Sequence, residues 1–203
     1  MRPRFLPYLA SLASVLVPLL STEVAGAEEA EDGARFRGAV SLEGGALLVP
    51  DVVSLGVAGV QGQLGVQINH LVGIYAVPAL DVVFGEVGGL NLAAALLVDF
   101  TMLDDLFTVG VGPDIGAFAA IGGGDGSVAA AGGALYGARL RFATQPIVGR
   151  GNDGVRRKAL SIGLDVRMLG GGAGFASTST TSTTAAASEF VLAPMLTVGY
   201  QAF

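Results

Sequence analysis

The chain has 203 residues, of which 52% are hydrophobic, 14% charged and 32 glycine, with a net charge of −6. Ordinary soluble domains carry about 25% charged residues, and an acidic balance of this kind disfavours nucleic acid as a partner. Cysteine is absent, so a secreted form of this chain would be stable through burial or through a membrane and not through disulfides.

Arg2 and Arg4, an apolar run over residues 5–20 interrupted only by two serines, and the triplet Ala25-Gly26-Ala27 have the form of a secretory signal peptide. Cleavage is expected after Ala27, giving a signal over 1–27, and no cysteine follows to make a lipoprotein. Loss of Arg2, Arg4 and Glu23 takes the net charge from −6 to −7. Residues 28–34, which contain Glu28, Glu29, Glu31 and Asp32, are expected to form an acidic, disordered periplasmic tail. Beyond them no stretch reaches the roughly 20 apolar residues of a transmembrane helix. The most apolar stretch, 90–102, is broken by Asn91 and Asp99.

Residues 35–203 instead divide into eight alternating segments of about the 9–11 residues that a tilted membrane strand needs. Over 36–47, Phe36, Gly38, Val40 and Leu42 alternate with Arg37, Ala39, Ser41 and Glu43. Over 57–68, Val60, Leu64, Val66 and Ile68 alternate with Gln61, Gln63 and Gln67. The third, 71–84, sets Val72, Ile74, Ala76, Leu80 and Val82 against Gly73, Tyr75 and Asp81. The fourth, 90–100, sets six apolar residues against Asn91 and Asp99. The fifth, 107–118, opposes Phe107, Val109, Val111 and Ile115 to Thr108, Gly110, Gly112 and Asp114. The sixth, 134–142, opposes Tyr136, Ala138, Leu140 and Phe142 to Gly137, Arg139 and Arg141. The seventh, 159–168, opposes Leu160, Ile162, Leu164, Val166 and Met168 to Ser161, Gly163, Asp165 and Arg167. The eighth is 190–203.

A half-buried strand of a soluble protein has the same period. Here, however, the polar face is rich in Gly, Ala and Ser with isolated charges of both signs. That composition suits a narrow lumen packed by side chains. The single lysine, Lys158, is too little for a water-facing surface. The connections alternate as outer-membrane barrels require. Asn69-His70 and 101–106 are expected as short periplasmic turns, and 48–56, 85–89, 119–133 and 169–189 as longer outer links. The last holds eight consecutive Ser/Thr, 177–184, read as a low-complexity loop. The segment 144–158 is expected as a longer, polar periplasmic turn. Phe36, Phe100, Phe107, Phe142 and Phe203 then fall at periplasmic strand ends, and Phe84, Phe118, Phe175 and Phe190 at or near external ends, giving two aromatic girdles. Pro78, Pro113 and Pro194 interrupt strands. A closed barrel has no edge to place them on, so a bulge is expected at each.

The fold expected is an all-β, eight-stranded, antiparallel, up-and-down transmembrane barrel. With its signal, strand count, turn alternation and the ending Val198-Gly199-Tyr200-Gln201-Ala202-Phe203, the chain resembles the small eight-stranded bacterial outer-membrane barrels of the OmpA/OmpX-like group. The resemblance implies a bacterial outer-membrane location and insertion by the barrel-assembly machinery. Val198, Tyr200 and Phe203 would form the C-terminal signal that this machinery reads. Outer-membrane lipid is then the other partner, and a monomer is expected.

By alternation Arg37, Glu43, Asp81, Asp99, Asp114, Arg139, Arg141, Asp165 and Arg167 point inward. Charges in a narrow lumen are costly unless paired, so these nine are expected to form an ion-pair network that fills it. Arg139 or Arg141 should pair with Asp114 or Asp165. The alternative is a narrow pore or small-ligand site, widened by Gly110, Gly112, Gly137 and Gly163. His70 lies at the rim without an implied partner, which disfavours a lipid-modifying enzyme. The loop Gly122-Gly123-Gly124-Asp125-Gly126 lacks the lysine of a phosphate loop and the spaced acids of a calcium loop. No catalytic residue, metal or cofactor is expected. The leading expectation is a non-enzymatic barrel with a structural or surface-interaction role. Leu164→Arg, on the lipid face, is expected to be far more costly than Gly163→Ser, on the lumen face.

Overall fold

Period-two alternation over this length leaves the chain one way to satisfy its backbone, which is strand against strand. The structure, a computed structural model, describes residues 34–48, 55–85, 87–103, 105–122, 129–150, 157–178, 182–186 and 190–202. The expected signal, nearly all of the acidic tail, residues 123–126 of the glycine-rich loop and Phe203 lie outside them. The strands are β1 (Arg35–Leu47), β2 (Leu55–Gln67), β3 (Val72–Phe84), β4 (Val87–Met102), β5 (Phe107–Gly122), β6 (Ala129–Thr144), β7 (Ile147–Arg150), β8 (Arg157–Thr178), β9 (Ser182–Ala186) and β10 (Phe190–Ala202). Eight of them are the staves of a closed antiparallel barrel. Each of β1 to β6 pairs with its sequence neighbour, β6 pairs with β8, and β10 pairs with both β8 and β1.

The register fixes the tilt. From Phe36 the paired residues run through Val66, Ile74, Val98, Val111, Leu140, Val166 and Pro194. The β1–β10 register then returns the path to Ala46, ten residues beyond its start (46 less 36). A stagger of that size corresponds to strands inclined by about 35–45° to the axis. A strand so tilted crosses a hydrophobic band about 25 Å tall.

The two faces of the wall are opposite in character. Outside, Leu42, Leu64, Leu92, Leu96, Ile115, Leu196 and Val198 are each at least half exposed. All nine expected inward charges are buried. A soluble barrel has the reverse arrangement, and a continuous apolar exterior of this extent is stable only against another apolar phase. Phe36, Phe100, Phe107, Phe142 and Tyr200 are exposed near one rim, and Phe84, Tyr136 and Phe190 near the other. Tyr136, Gly170 and Phe190 share one row of the sheet. Phe118 is corrected: it stands four residues along from Asp114 on the lumen parity of β5 and is half-buried. No side-chain placement is described for Phe175.

The prolines do not produce bulges. Opposite Pro78 the β2–β3 ladder lapses between Gln61↔Ala79 and Leu64↔Ala76, and resumes in the same register. The β4–β5 ladder does the same around Pro113, between Ala95↔Asp114 and Val98↔Val111. The β1–β10 ladder ends at Gly45↔Met195 and returns at Leu48↔Leu192 past Pro194. On its other side each proline stays paired, to Ala94, Ala138 and Val166 respectively. A missing N–H removes one bond from one ladder but does not require an extra residue. The register shifts among the described residues lie elsewhere, between Gly133 and Leu135 and between Ile147 and Gly149.

The expected longer links are shorter than the sequence indicated: 48–56 reduces to 48–54 and 119–133 to 123–128. The connection over 85–89 shrinks to residues 85–86. The Ser/Thr-rich stretch is largely strand: β8 continues to Thr178, pairs with β6 as far as Ala129↔Thr178, and pairs with β9 on its other side. The polar turn 144–158 contains β7, which pairs with the start of β8.

Candidate functional site

The lumen of β6 and β8 carries the arginines. Arg141 stands directly opposite Asp165 in the register. Its Nε donates to Asp165 Oδ1 at 2.9 Å and its Nη2 to Oδ2 at 2.8 Å, a two-pronged fork on one carboxylate. Asp114 is paired with Gly137, so it lies diagonally across from Arg139. The glycine leaves that diagonal open, and Arg139 Nε donates to Asp114 Oδ2 at 2.9 Å. Arg139 and Arg167 are directly opposite one another, like charges in an unfavourable position. They diverge: Arg167 Nη1 donates to Asp81 Oδ2 at 2.7 Å and its Nη2 to Glu43 Oε2 at 2.6 Å.

These contacts cross the lumen. β6 and β2 stand four staves apart, on opposite sides of the barrel, as do β8 and β3. Gln61 Oε1 on β2 accepts from Arg139 Nη1 at 3.1 Å and from Arg141 Nη2 at 3.0 Å. Gln63 Oε1 accepts from Arg141 Nη1 at 2.9 Å, and Gln63 Nε2 donates to Asp99 Oδ2 at 3.1 Å. Arg167 spans from β8 to Asp81 on β3, where Asn91 Nδ2 also donates at 2.9 Å. Arg139, Asp114 and Asp165 have no exposed surface.

At the rim that carries Phe36, Phe100 and Phe107 the β4–β5 turn reaches over the mouth. Asp105 Oδ1 accepts from Arg37 Nη2 at 2.7 Å, linking β1 to the opposite side of the barrel. Leu103 and Asp105 hold φ of 55° and 70°. Such left-handed backbone costs roughly 1–3 kcal/mol at a non-glycine residue, and the turn it shapes carries the part-buried Asp105 that Arg37 holds. Below the network Tyr75 Oη donates to Gln67 Oε1 at 2.7 Å, and Gln67 Nε2 donates to Thr101 Oγ1 at 3.3 Å. The Tyr75 ring lies flat on the wall, 2.6 Å from where a Cβ at Gly73 would sit; any side chain there would displace it.

The rest of the lumen mixes apolar residues with small or uncharged polar ones such as Ser41, Thr108, Thr197 and Gln201. Tyr75, Val77, Ala95 and Leu97 cluster on β3 and β4. Val57, Ala193 and Met195, with Leu47 and Val83 against them, fill the interior toward the other rim. The barrel therefore contains packed side chains from one rim to the other. The glycines expected to widen it do not do so. The space over Gly110 is taken by the Asp99 carboxylate, and Gly112 and Gly137 lie against backbone carbonyls of Leu96 and Met168.

All nine expected inward charges are gathered in the lumen. Asp99 is reached through Gln63, and Arg37 is held by Asp105, which lies outside the nine. Sequence reasoning left out Gln61, Gln63, Gln67, Asn91 and Asp105 as members. Three glutamines on the inner face of a strand whose outer face carries Leu64 and Val66 were the available signal. His70 is exposed in a turn built by Asn69, whose Oδ1 accepts from the N–H of Leu71 and Val72 at 2.9 and 2.8 Å. Val198 and Tyr200 lie on the outer face of β10, 51% and 43% exposed.

No protein-family model and no curated protein matches this chain. Among solved structures it is similar to the translocator domain of autotransporter NalP from Neisseria meningitidis, at a TM-score of 0.42 and 12% identity, over 96% of this chain and 70% of that one.

Proposed function

We propose that the protein is a non-enzymatic outer-membrane barrel of the small eight-stranded OmpA/OmpX-like kind, with a structural or surface-interaction role and a lumen held shut. On this reading residues 1–27 direct export, and the barrel-assembly machinery inserts the chain as a monomer through Val198, Tyr200 and Phe203. The observation that carries it is that Arg139, Arg141 and Arg167 each bind a residue on the opposite wall, inside a barrel whose exterior is apolar. A side chain anchored on both walls occludes the passage between them.

Planar-bilayer recording of the refolded protein tests the reading. The wild type should give no steady openings. Uniform steady openings would contradict it and establish the narrow pore instead. Release of fatty acid from phospholipid would contradict the non-enzymatic assignment.

A further inference from the structure

Near the rim that carries Phe36, Phe100 and Phe107, three buried oxygens have no hydrogen-bond partner: Asp99 Oδ1 on β4, Thr108 Oγ1 on β5 and Gln145 Oε1 just past β6. Their residues are 1%, 3% and 3% exposed. A buried acceptor without a donor is costly, and three on adjacent staves call for a common occupant.

The register brings them together. Asp99 stands opposite Gly110, and Thr108 is two residues from that glycine on the same face. Asp99 Oδ1 itself lies over Gly110, turned from its own stave toward β5 and β6. Thr108 is opposite Ala143, and the Gln145 N–H donates to the Leu106 carbonyl at 2.7 Å. That bond carries the β5–β6 pairing onward and sets Gln145 diagonally across from Thr108. Same-face diagonal neighbours lie roughly 7–8 Å apart at the backbone, so their side chains can share one ligand. The Thr108 hydroxyl can donate, yet neither Asp99 Oδ1 nor Gln145 Oε1 accepts from it. What joins these oxygens is not a direct hydrogen bond.

The charge balance points the same way. Glu43, Asp81, Asp99, Asp105, Asp114 and Asp165 meet Arg37, Arg139, Arg141, Arg167 and, at the mouth, the partly exposed Arg157, six acids to five bases. Arg141, opposite Gly110, is forked on Asp165 and donates its Nη1 to Gln63. The Gln63 amide reaches the other Asp99 oxygen, Oδ2.

We propose that Asp99 Oδ1, Thr108 Oγ1 and Gln145 Oε1 hold one alkali cation, with sodium as its representative. A carboxylate, a hydroxyl and an amide carbonyl are hard oxygen donors carrying a single negative charge, which suits a monovalent ion. Among the described residues no group of three or more acidic, histidine or cysteine side chains gathers for a metal of higher charge.

The test follows urea unfolding of the full barrel in phosphatidylcholine vesicles at constant ionic strength, with sodium chloride replacing tetramethylammonium chloride, whose cation is too large for the site. The midpoint should rise with sodium, and the folding constant should grow about tenfold when sodium reaches ten times its dissociation constant. Asp99→Asn and Thr108→Val should each flatten that response. Sodium-23 relaxation of the folded wild type reads binding without any variant, and excess broadening that tetramethylammonium does not displace is expected. A midpoint indifferent to sodium, or the absence of excess broadening, would overturn the proposal and leave water or a proton at these oxygens. A sodium response that survives both substitutions would overturn it as well, by placing the ion elsewhere.

Discussion

Between Leu160 and Met168, β8 presents two faces that meet opposite requirements with one backbone. Outward, Leu160, Ile162 and Leu164 are 38%, 44% and 39% exposed. Inward, Asp165 and Arg167 are fully or almost fully buried. The outer residues need no partner, only an apolar phase. The inner ones have lost water and hold their charge through designated partners, Arg141 for Asp165 and both Asp81 and Glu43 for Arg167. The difference teaches where specificity resides. The outer face tolerates any apolar side chain of reasonable size, whereas the inner face is a set of particular pairs that fail one at a time.

That contrast can be broken from the inside most severely. Asp165→Ala strips Arg141 of both prongs of its fork and Arg139 of a carboxylate 3.7 Å away. A buried guanidinium left without its partner should cost about 3–5 kcal/mol, read as a shift of the urea unfolding midpoint in vesicles. From the outside, Leu164→Arg should cost about 2–4 kcal/mol, since Leu164 lies between the Leu160 and Gly170 rows that carry Tyr200 and Phe190. A loss below half of that would place Leu164 away from the hydrocarbon. Gln61→Ala sharpens the comparison. It removes a neutral acceptor shared by two arginines and should cost about 1.5–3 kcal/mol, the range for hydrogen bonds to charged groups. At the low end, His70→Ala, in an exposed turn, should stay within about 0.5 kcal/mol of wild type. Gly163→Ser is not the mild control that alternation alone suggests. A Cβ there would lie 2.8 Å from Thr197 Oγ1 and from the Phe142 carbonyl, so the lumen face resists even small additions.

Strand number, facing and up-and-down order were legible because an apolar outer face over a polar inner one imposes period two on each stave. Where the apolar outer face ends, the signal ends. Residues 170–178 of β8 pair along both edges but are Gly, Ala, Ser, Thr and one Phe, with no alternation to mark them as strand. The inward charges were legible from the same alternation, and the nearness of Arg141 to Asp165 from strand adjacency. Contacts across the lumen were not. Gln61 meets Arg139 only because the stagger of the closed barrel sets their levels, and no single strand encodes that stagger. Asp105 was hidden differently, since its reach to Arg37 depends on a turn held at positive φ.

The account stands or falls on whether the two walls are joined through the lumen. A double-mutant cycle on Arg141 and Gln63, side chains on opposite walls that meet at 2.9 Å, measures this directly in barrels folded in phosphatidylcholine vesicles. With Arg141→Ala, Gln63→Ala and the double variant, the account predicts a coupling energy of about 0.5–3 kcal/mol, as for residues of one buried network. Costs that add to within about 0.3 kcal/mol would mean that the walls are independent and the lumen is not plugged by these side chains.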